Sequence, residues 1–270
     1  PSRTQRPCHL ICAACSVHTG VPPFYTSTFA LVDGRAGFDR SITLQAFPMS
    51  DRVALSFSSF SFRTWLLLAL AGVVTLFGLF LILAEEVVLD GRNGLDHAVT
   101  LDVHGWVTPQ RTELMRFVTT LGSTWCVLVI YAVIVIWLLW QRRFRTVIAL
   151  VSIFMLAELL NYGLKLAFAR PRPSIVPHID KAGGYSFPSG HMMGATMAWG
   201  VLAMLLMERL DGRARFVPPA VAALIIVSVG FSRVYLGVHY LTDVLAGGLV
   251  AGACLILART ALCLLDRPTR

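Results

Sequence analysis

The stretch SRVYLGVHYLTD, residues 232 to 243, sets Arg233, His239 and Asp243 between two long apolar runs. His239 and Asp243 are four residues apart, so on a helical turn the carboxylate can hold one imidazole nitrogen and leave the other free to attack. Two further polar groups interrupt the apolar pattern: KLAFARPRP, from Lys165 to Pro173, and PSGH, from Pro188 to His191. Ionisable groups at membrane depth are costly, so each is a functional candidate until a structural partner accounts for it. Lys165, Arg172 and Arg233 supply three fixed positive charges, more than one carboxylate needs and suited to the several oxygens of a phosphoryl group. Ser189 and Gly190 open a helix, where free amides and the positive dipole end favour an anion. His239 is then the candidate nucleophile and Asp243 its orienting partner. His191 is placed to protonate a leaving oxygen and later to activate water. The neighbourhood has no run of Asp, Glu or Cys with metal-ligand spacing, so the reading has no metal and no cofactor, and the cationic side chains offset transition-state charge instead.

The elements that must position these groups are membrane spans. The chain is 56% hydrophobic and 14% charged over 270 residues, with mean hydropathy +0.69, which fits a multi-spanning membrane protein. Six apolar runs reach the length a bilayer requires, at about 64–84, 119–140, 146–167, 189–207, 217–237 and 243–263. The expected fold class is all-α, a polytopic helical bundle of six transmembrane helices. Arg142, Arg143 and Arg145 fill one short connection and Arg209, Arg213 and Arg215 another; with Arg52, Arg63, Arg267 and Arg270 they mark the cytoplasmic side. The three polar clusters then share the outward side, although they lie far apart in sequence. The net charge of +8 comes almost wholly from scattered Arg and forms no basic stripe, which argues against a nucleic-acid partner.

Other features carry blander expectations. Arg170 and Lys181, taken singly, read as interfacial anchors. Residues 85–118 have a mixed pattern that suits one or two amphipathic helices along the interface, and His97 and His104 within them read as solvated polar residues. Glu158 and Asn161 precede Lys165 on a similar helix face and are candidates to support it. Gly190-x3-Gly194 and Gly248-x3-Gly252 suggest close helix packing. Cys126, Cys254 and Cys263 read as small buried hydrophobes, while Cys8, Cys12 and Cys15 have the spacing of an iron–sulfur motif but no accompanying barrel pattern. Residues 1–48 differ in composition and precede the first Met, Met49, so they are expected to be a dispensable extension before a membrane domain over 49–270.

K-x6-R-P at Lys165 to Pro173, P-S-G-H at Pro188 to His191 and S-R-x5-H-x3-D at Ser232 to Asp243 together resemble the three signature motifs of the type 2 phosphatidic acid phosphatase superfamily, which also contains vanadium haloperoxidases. The resemblance covers about residues 60–265. It implies a helical-bundle core and metal-independent hydrolysis of a phosphomonoester or diphosphate through a phosphohistidine. In it His239, Asp243 and His191 are catalytic, and Lys165, Arg172, Ser189, Gly190 and Arg233 bind phosphate. A lipid phosphate is the expected substrate, with undecaprenyl diphosphate, phosphatidylglycerophosphate, phosphatidic acid and lipid A phosphates as candidates, at the outer side of a bacterial cytoplasmic membrane. Two other readings accompany it: a vanadate-dependent haloperoxidase, and a transporter or lipid-phosphate binder without chemistry.

Overall fold

A computed structural model describes residues 62–89 and 94–265, all helix and connecting loop. The eight α-helices among these residues are α1 (Phe62–Leu89), α2 (Gly94–His104), α3 (Pro109–Thr120), α4 (Thr124–Trp140), α5 (Phe144–Phe168), α6 (Gly190–Met207), α7 (Val217–Tyr235) and α8 (Leu241–Leu265), with a 3-10 turn over Gly212–Phe216 before α7. Among the described residues six segments are long and apolar enough to cross a membrane, the second formed by α3 and α4 in succession. Helices are the expected solution, because backbone groups in lipid must be satisfied within their own segment. Residues 1–48, with Cys8, Cys12 and Cys15, lie outside the described residues, as do Arg52, Arg267 and Arg270.

Local chemistry sets the helix ends. Thr108 and Ser123 cap α3 and α4, their hydroxyls accepting from the amides of Arg111 and Cys126 at 3.4 Å each. Pro109 fits the first turn of α3, where an amide would have no partner. α5 stops at Ala169, in the left-handed region at φ 43°, immediately before the ARPRP run whose prolines cannot continue a helix.

The most buried span is α6, which packs against α4, α5, α7 and α8, while α1 lies along α8. One core cluster joins Val127 and Tyr131 of α4, Phe154 and Ala157 of α5, Met193 and Met197 of α6, and Ala251 and Cys254 of α8. Close approach is real at Gly194, where an added Cβ would meet Val127 at 3.1 Å, and at Gly248, 3.1 Å from Met192. The tightest backbone contact falls at a residue outside both glycine patterns: a Cβ on Gly247 would sit 2.7 Å from the Ser189 carbonyl. The backbone of α8 is thereby brought against the start of α6, and the Ser189 amide donates to the Asp243 carbonyl at 2.9 Å.

The turn between α7 and α8 depends on Gly237. Its φ is +73°, and a Cβ there would meet the Pro177 carbonyl oxygen at 2.9 Å. Gly237→Ala therefore combines a left-handed backbone with a clash, and is expected to cost at least about 1 kcal/mol. Thermal unfolding in detergent checks this; an unchanged midpoint contradicts it.

Candidate active site

The end of α5, the loop over 169–189, the start of α6 and the turn from α7 into α8 meet at one end of the bundle. The Arg-rich connections, 141–143 and 209–215, lie at the opposite ends of the same helices. The three motifs thus converge although bonded partners lie far apart in sequence, 67 residues for Arg172 and His239 and 73 for Arg170 and Asp243.

His239 is 2% exposed, and its Nδ1 lies 3.4 Å from Oδ2 of Asp243, which is fully buried. The same Oδ2 accepts the Tyr240 amide at 2.9 Å. On the other side of the ring, Nε2 is 3.3 Å from Nη1 of Arg172. These neighbours fit one tautomer: Nδ1–H directed at the carboxylate, with the Nε2 lone pair toward the guanidinium. Burial pulls the His239 pKa down to about 4, with Asp243 partly opposing and Arg233 and Arg172 adding to the drop. The imidazole is therefore neutral near pH 7, with Nε2 unprotonated.

Each cation is held by its surroundings. Arg172 donates to the carbonyls of Gly184 (3.0 Å), Gly183 (2.8 Å) and Val238 (2.7 Å), and burial lowers its pKa, with Asp243 opposing. Lys165 Nζ donates to the carbonyls of Tyr185 and Pro188 at 2.9 and 2.8 Å, using two of its three N–H groups. Arg233, 2% exposed, donates through Nη1 to Thr119 Oγ1 at 2.8 Å and pairs with Asp180 at 3.2 Å. Among the described residues its Nε has no hydrogen-bond partner, and neither has the buried Oγ of Ser189. The Ser189 amide is taken by Asp243, so the free amides of α6 begin at Gly190. His191 stands in the first turn of α6, half-buried and within electrostatic reach of Arg233, His239 and Arg172.

Two sequence expectations need correction and one is refined. Arg170 is no interfacial anchor: it pairs with Asp243 Oδ1 at 2.6 Å and Asp96 Oδ2 at 2.8 Å, and its guanidinium lies 4.3 Å from the centre of the Tyr240 ring. Burial works against its charge, but Asp243 and Asp96 outweigh it and hold the pKa above the usual value. His97 is not a solvated loop residue, because its ring stacks on Tyr240 at 6.1 Å. Asn161 is buried and donates to Met193 Sδ at 3.0 Å, so it supports the start of α6 by way of Met193, while Glu158 is exposed. Sequence reasoning missed Asp96 altogether. It is 1% exposed and accepts from both the amide (3.1 Å) and hydroxyl (2.6 Å) of Thr242; an acidic residue in a helix's first turn was its only signal. Among the described residues no group of three His, Cys, Asp or Glu side chains converges as a metal site.

The PAP2 superfamily model matches residues 146–263. The chain is 34% identical to phosphatidylglycerophosphatase B of Bacillus subtilis (strain 168), covering 64% of this chain and 86% of that protein. It is also 34% identical to undecaprenyl-diphosphatase BcrC of the same organism, over 52% of this chain and 68% of that one. The crystal structure of a transmembrane PAP2-type phosphatidylglycerolphosphate phosphatase from Bacillus subtilis superposes with TM-score 0.65 at 32% identity, covering 69% of this chain and 94% of the other.

Because the burial that lowers its pKa to about 4 favours the neutral ring, His239 is expected to stay neutral with Nδ1 protonated down to about pH 5. Histidine 15N NMR in detergent, assigned with His239→Gln, reads this directly. Charging with a midpoint between about pH 6 and 7, the ordinary histidine range, contradicts it.

Proposed function

From the premise that the chain belongs to the PAP2 superfamily and is a multi-pass membrane phosphatase, we propose that it hydrolyses a lipid phosphate or diphosphate through a phosphohistidine on His239. The observation that carries the reading is a pair of buried, unpartnered polar atoms, Ser189 Oγ and Arg233 Nε, within a cluster of cations beside His239. A buried polar atom without a partner costs free energy, and the tetrahedral oxygens of a phosphoryl group would satisfy both. The third N–H of Lys165 and the free amides from Gly190 onward complete the same cradle.

In the first step the Nε2 lone pair of His239 forms a bond to phosphorus as the bond from phosphorus to the lipid oxygen breaks. Protonated His191 gives its proton to that oxygen, so the lipid alcohol leaves neutral. The positive charge arising on the His239 ring is met by Asp243 through Nδ1–H. In the second step water bonds to phosphorus as the N–P bond breaks, and His191 takes back a proton. Lys165, Arg172 and Arg233 offset charge on the phosphoryl oxygens throughout.

A lipid substrate is supported by an apolar groove of about 500 Å3 between α1, α6, α7 and α8. Leu79 and Leu83, Met192, and Leu245 and Leu249 line it, and Met192 adjoins His191 in sequence. An acyl or prenyl chain there would leave its phosphate at the start of α6. Phosphatidylglycerophosphate and undecaprenyl diphosphate are the first candidates, being what the names of the similar proteins specify. The Arg-rich connections at the other end of the bundle support a site on the outer face of a bacterial cytoplasmic membrane.

Phosphate release from a panel of lipid phosphates, run in EDTA, tests the proposal. The wild type is expected to turn over at least one member, His239→Ala to release none, and His191→Ala to lose about 10²- to 10⁴-fold in rate. Phosphate release by His239→Ala at the wild-type rate would sink the mechanism, and activity abolished by EDTA would contradict its freedom from metal.

A further inference from the structure

Arg170, Asp96 and Thr242, which the mechanism above leaves without a role, bond to one another and to Asp243. Its Nη1 donates to Asp243 Oδ1 at 2.6 Å and to Thr242 Oγ1 at 2.7 Å, and its Nη2 pairs with Asp96 Oδ2 at 2.8 Å. Asp96 also takes the Thr242 amide and hydroxyl, so a residue of α2 caps the first turn of α8 from outside that helix. The assembly is largely shielded, with the Arg170 side chain 13% exposed. Asp96 is 1% exposed and Asp243 fully buried, Tyr240 covers the guanidinium, and Val103 of α2 packs with Tyr235, Val238 and Val244.

Asp243 has two oxygens, and the network divides them. Oδ1 is fixed by Arg170, which leaves Oδ2 facing His239 Nδ1. An unopposed guanidinium at that distance would cancel most of the carboxylate's field at the imidazole, since screening is weak in a buried site. Asp96 supplies the opposing charge, so Asp96, Arg170 and Asp243 together carry one net negative charge.

We propose that Asp96 and Arg170 are positioning residues for the reaction: Arg170 fixes Asp243, and Asp96 neutralises Arg170 so that the charge of Asp243 remains available to the imidazolium formed when His239 attacks. The proposal rests on the reading of His239 as nucleophile. It also assigns α2, which lies outside the matched span of residues 146–263, a part in the chemistry.

A double-mutant cycle in the full-length chain tests it, with the lipid phosphate hydrolysed fastest in the panel and with His239→Ala alongside. Asp96→Asn is expected to lower kcat about 10- to 100-fold, the scale seen when a group orienting a reactive residue is lost, with KM held within about threefold. The double variant Asp96→Asn/Arg170→Gln removes both charges and restores the net charge of the trio. Its kcat is expected to exceed that of Asp96→Asn by about threefold or more. A purely structural role predicts the reverse, since the double variant loses more bonds. An unchanged kcat in Asp96→Asn, a loss carried by KM, or a double variant no faster than Asp96→Asn overturns the proposal.

Melting in detergent identifies any variant that fails to fold. If Asp96→Asn is lost in this way, the double variant is compared with Arg170→Gln, where higher kcat supports the proposal and equal or lower kcat overturns it. If the double variant is also lost, Thr242→Val removes the hydroxyl shared by Asp96 and Arg170: a kcat loss at constant KM supports the bracket, and unchanged kcat overturns it. Should His239→Ala retain wild-type activity, the nucleophile reading itself fails. An inactive His239→Ala beside a fully active, folded Asp96→Asn removes only the bracket.

Discussion

Four cationic side chains, Lys165, Arg170, Arg172 and Arg233, crowd the same end of a bundle whose interior is hydrocarbon, and holding them there is the constraint on which the rest of the structure depends. Like charges repel strongly where water is excluded, and each guanidinium also loses hydration on burial. The compensation takes two forms. Arg170 and Arg233 have carboxylate partners, in Asp96 and Asp243 for the first and Asp180 for the second. Lys165 and Arg172 are held by main-chain carbonyls of the loop between α5 and α6. Carbonyl dipoles fix a cation's position without neutralising it, so the site keeps positive potential. That is the condition under which an anionic head group would be drawn in.

This need for carbonyls explains the backbone around the site. The loop over 169–189 is long and rich in Pro and Gly, which exposes oxygens that a helix would have consumed. Gly237 lets the α7–α8 turn pass close to Pro177, and the Val238 carbonyl from that turn is a third acceptor for Arg172. Gly247 lets α8 approach α6 until Ser189 bonds the Asp243 carbonyl. The two glycines join the motifs by shortening distances between backbones, and neither touches the reacting centre.

Much of this was legible from sequence because it is local. Six apolar runs give six spans through length alone, and the spacing of His239 and Asp243 is a helical-turn spacing that the structure retains, with their side chains 3.4 Å apart. Residues 85–118, read as one or two helices along the interface, instead hold the end of α1, all of α2 and most of α3, and α3 continues with α4 into the second membrane-length segment. What stayed hidden depends on contacts between distant segments. Asp96 is 74 residues from Arg170 and 146 from Thr242, and nothing in its own neighbourhood distinguishes it from an acidic residue in an ordinary first turn. Arg170 was misread for the same reason. Beside a span end an arginine looks like an anchor until its two carboxylates are found.

The separation of the two kinds of cation bears on how such a site can serve a lipid. A phosphate head must enter and, after hydrolysis, leave, so the groups that meet it should be anchored without being neutralised. A group that would aim a nucleophile has the opposite requirement, because it would have to stay fixed whether or not substrate is present. Arg172 and Lys165, tied to uncharged carbonyls, suit the first task. Arg170, clamped between two buried carboxylates and covered by Tyr240, suits the second. Because α6 and α8 contribute both to this charged end and to the apolar groove below it, a lipid seated along those helices would have its chain in hydrocarbon and its head among cations that are already in place. The ordering cost of assembling them is met on folding, before any substrate arrives.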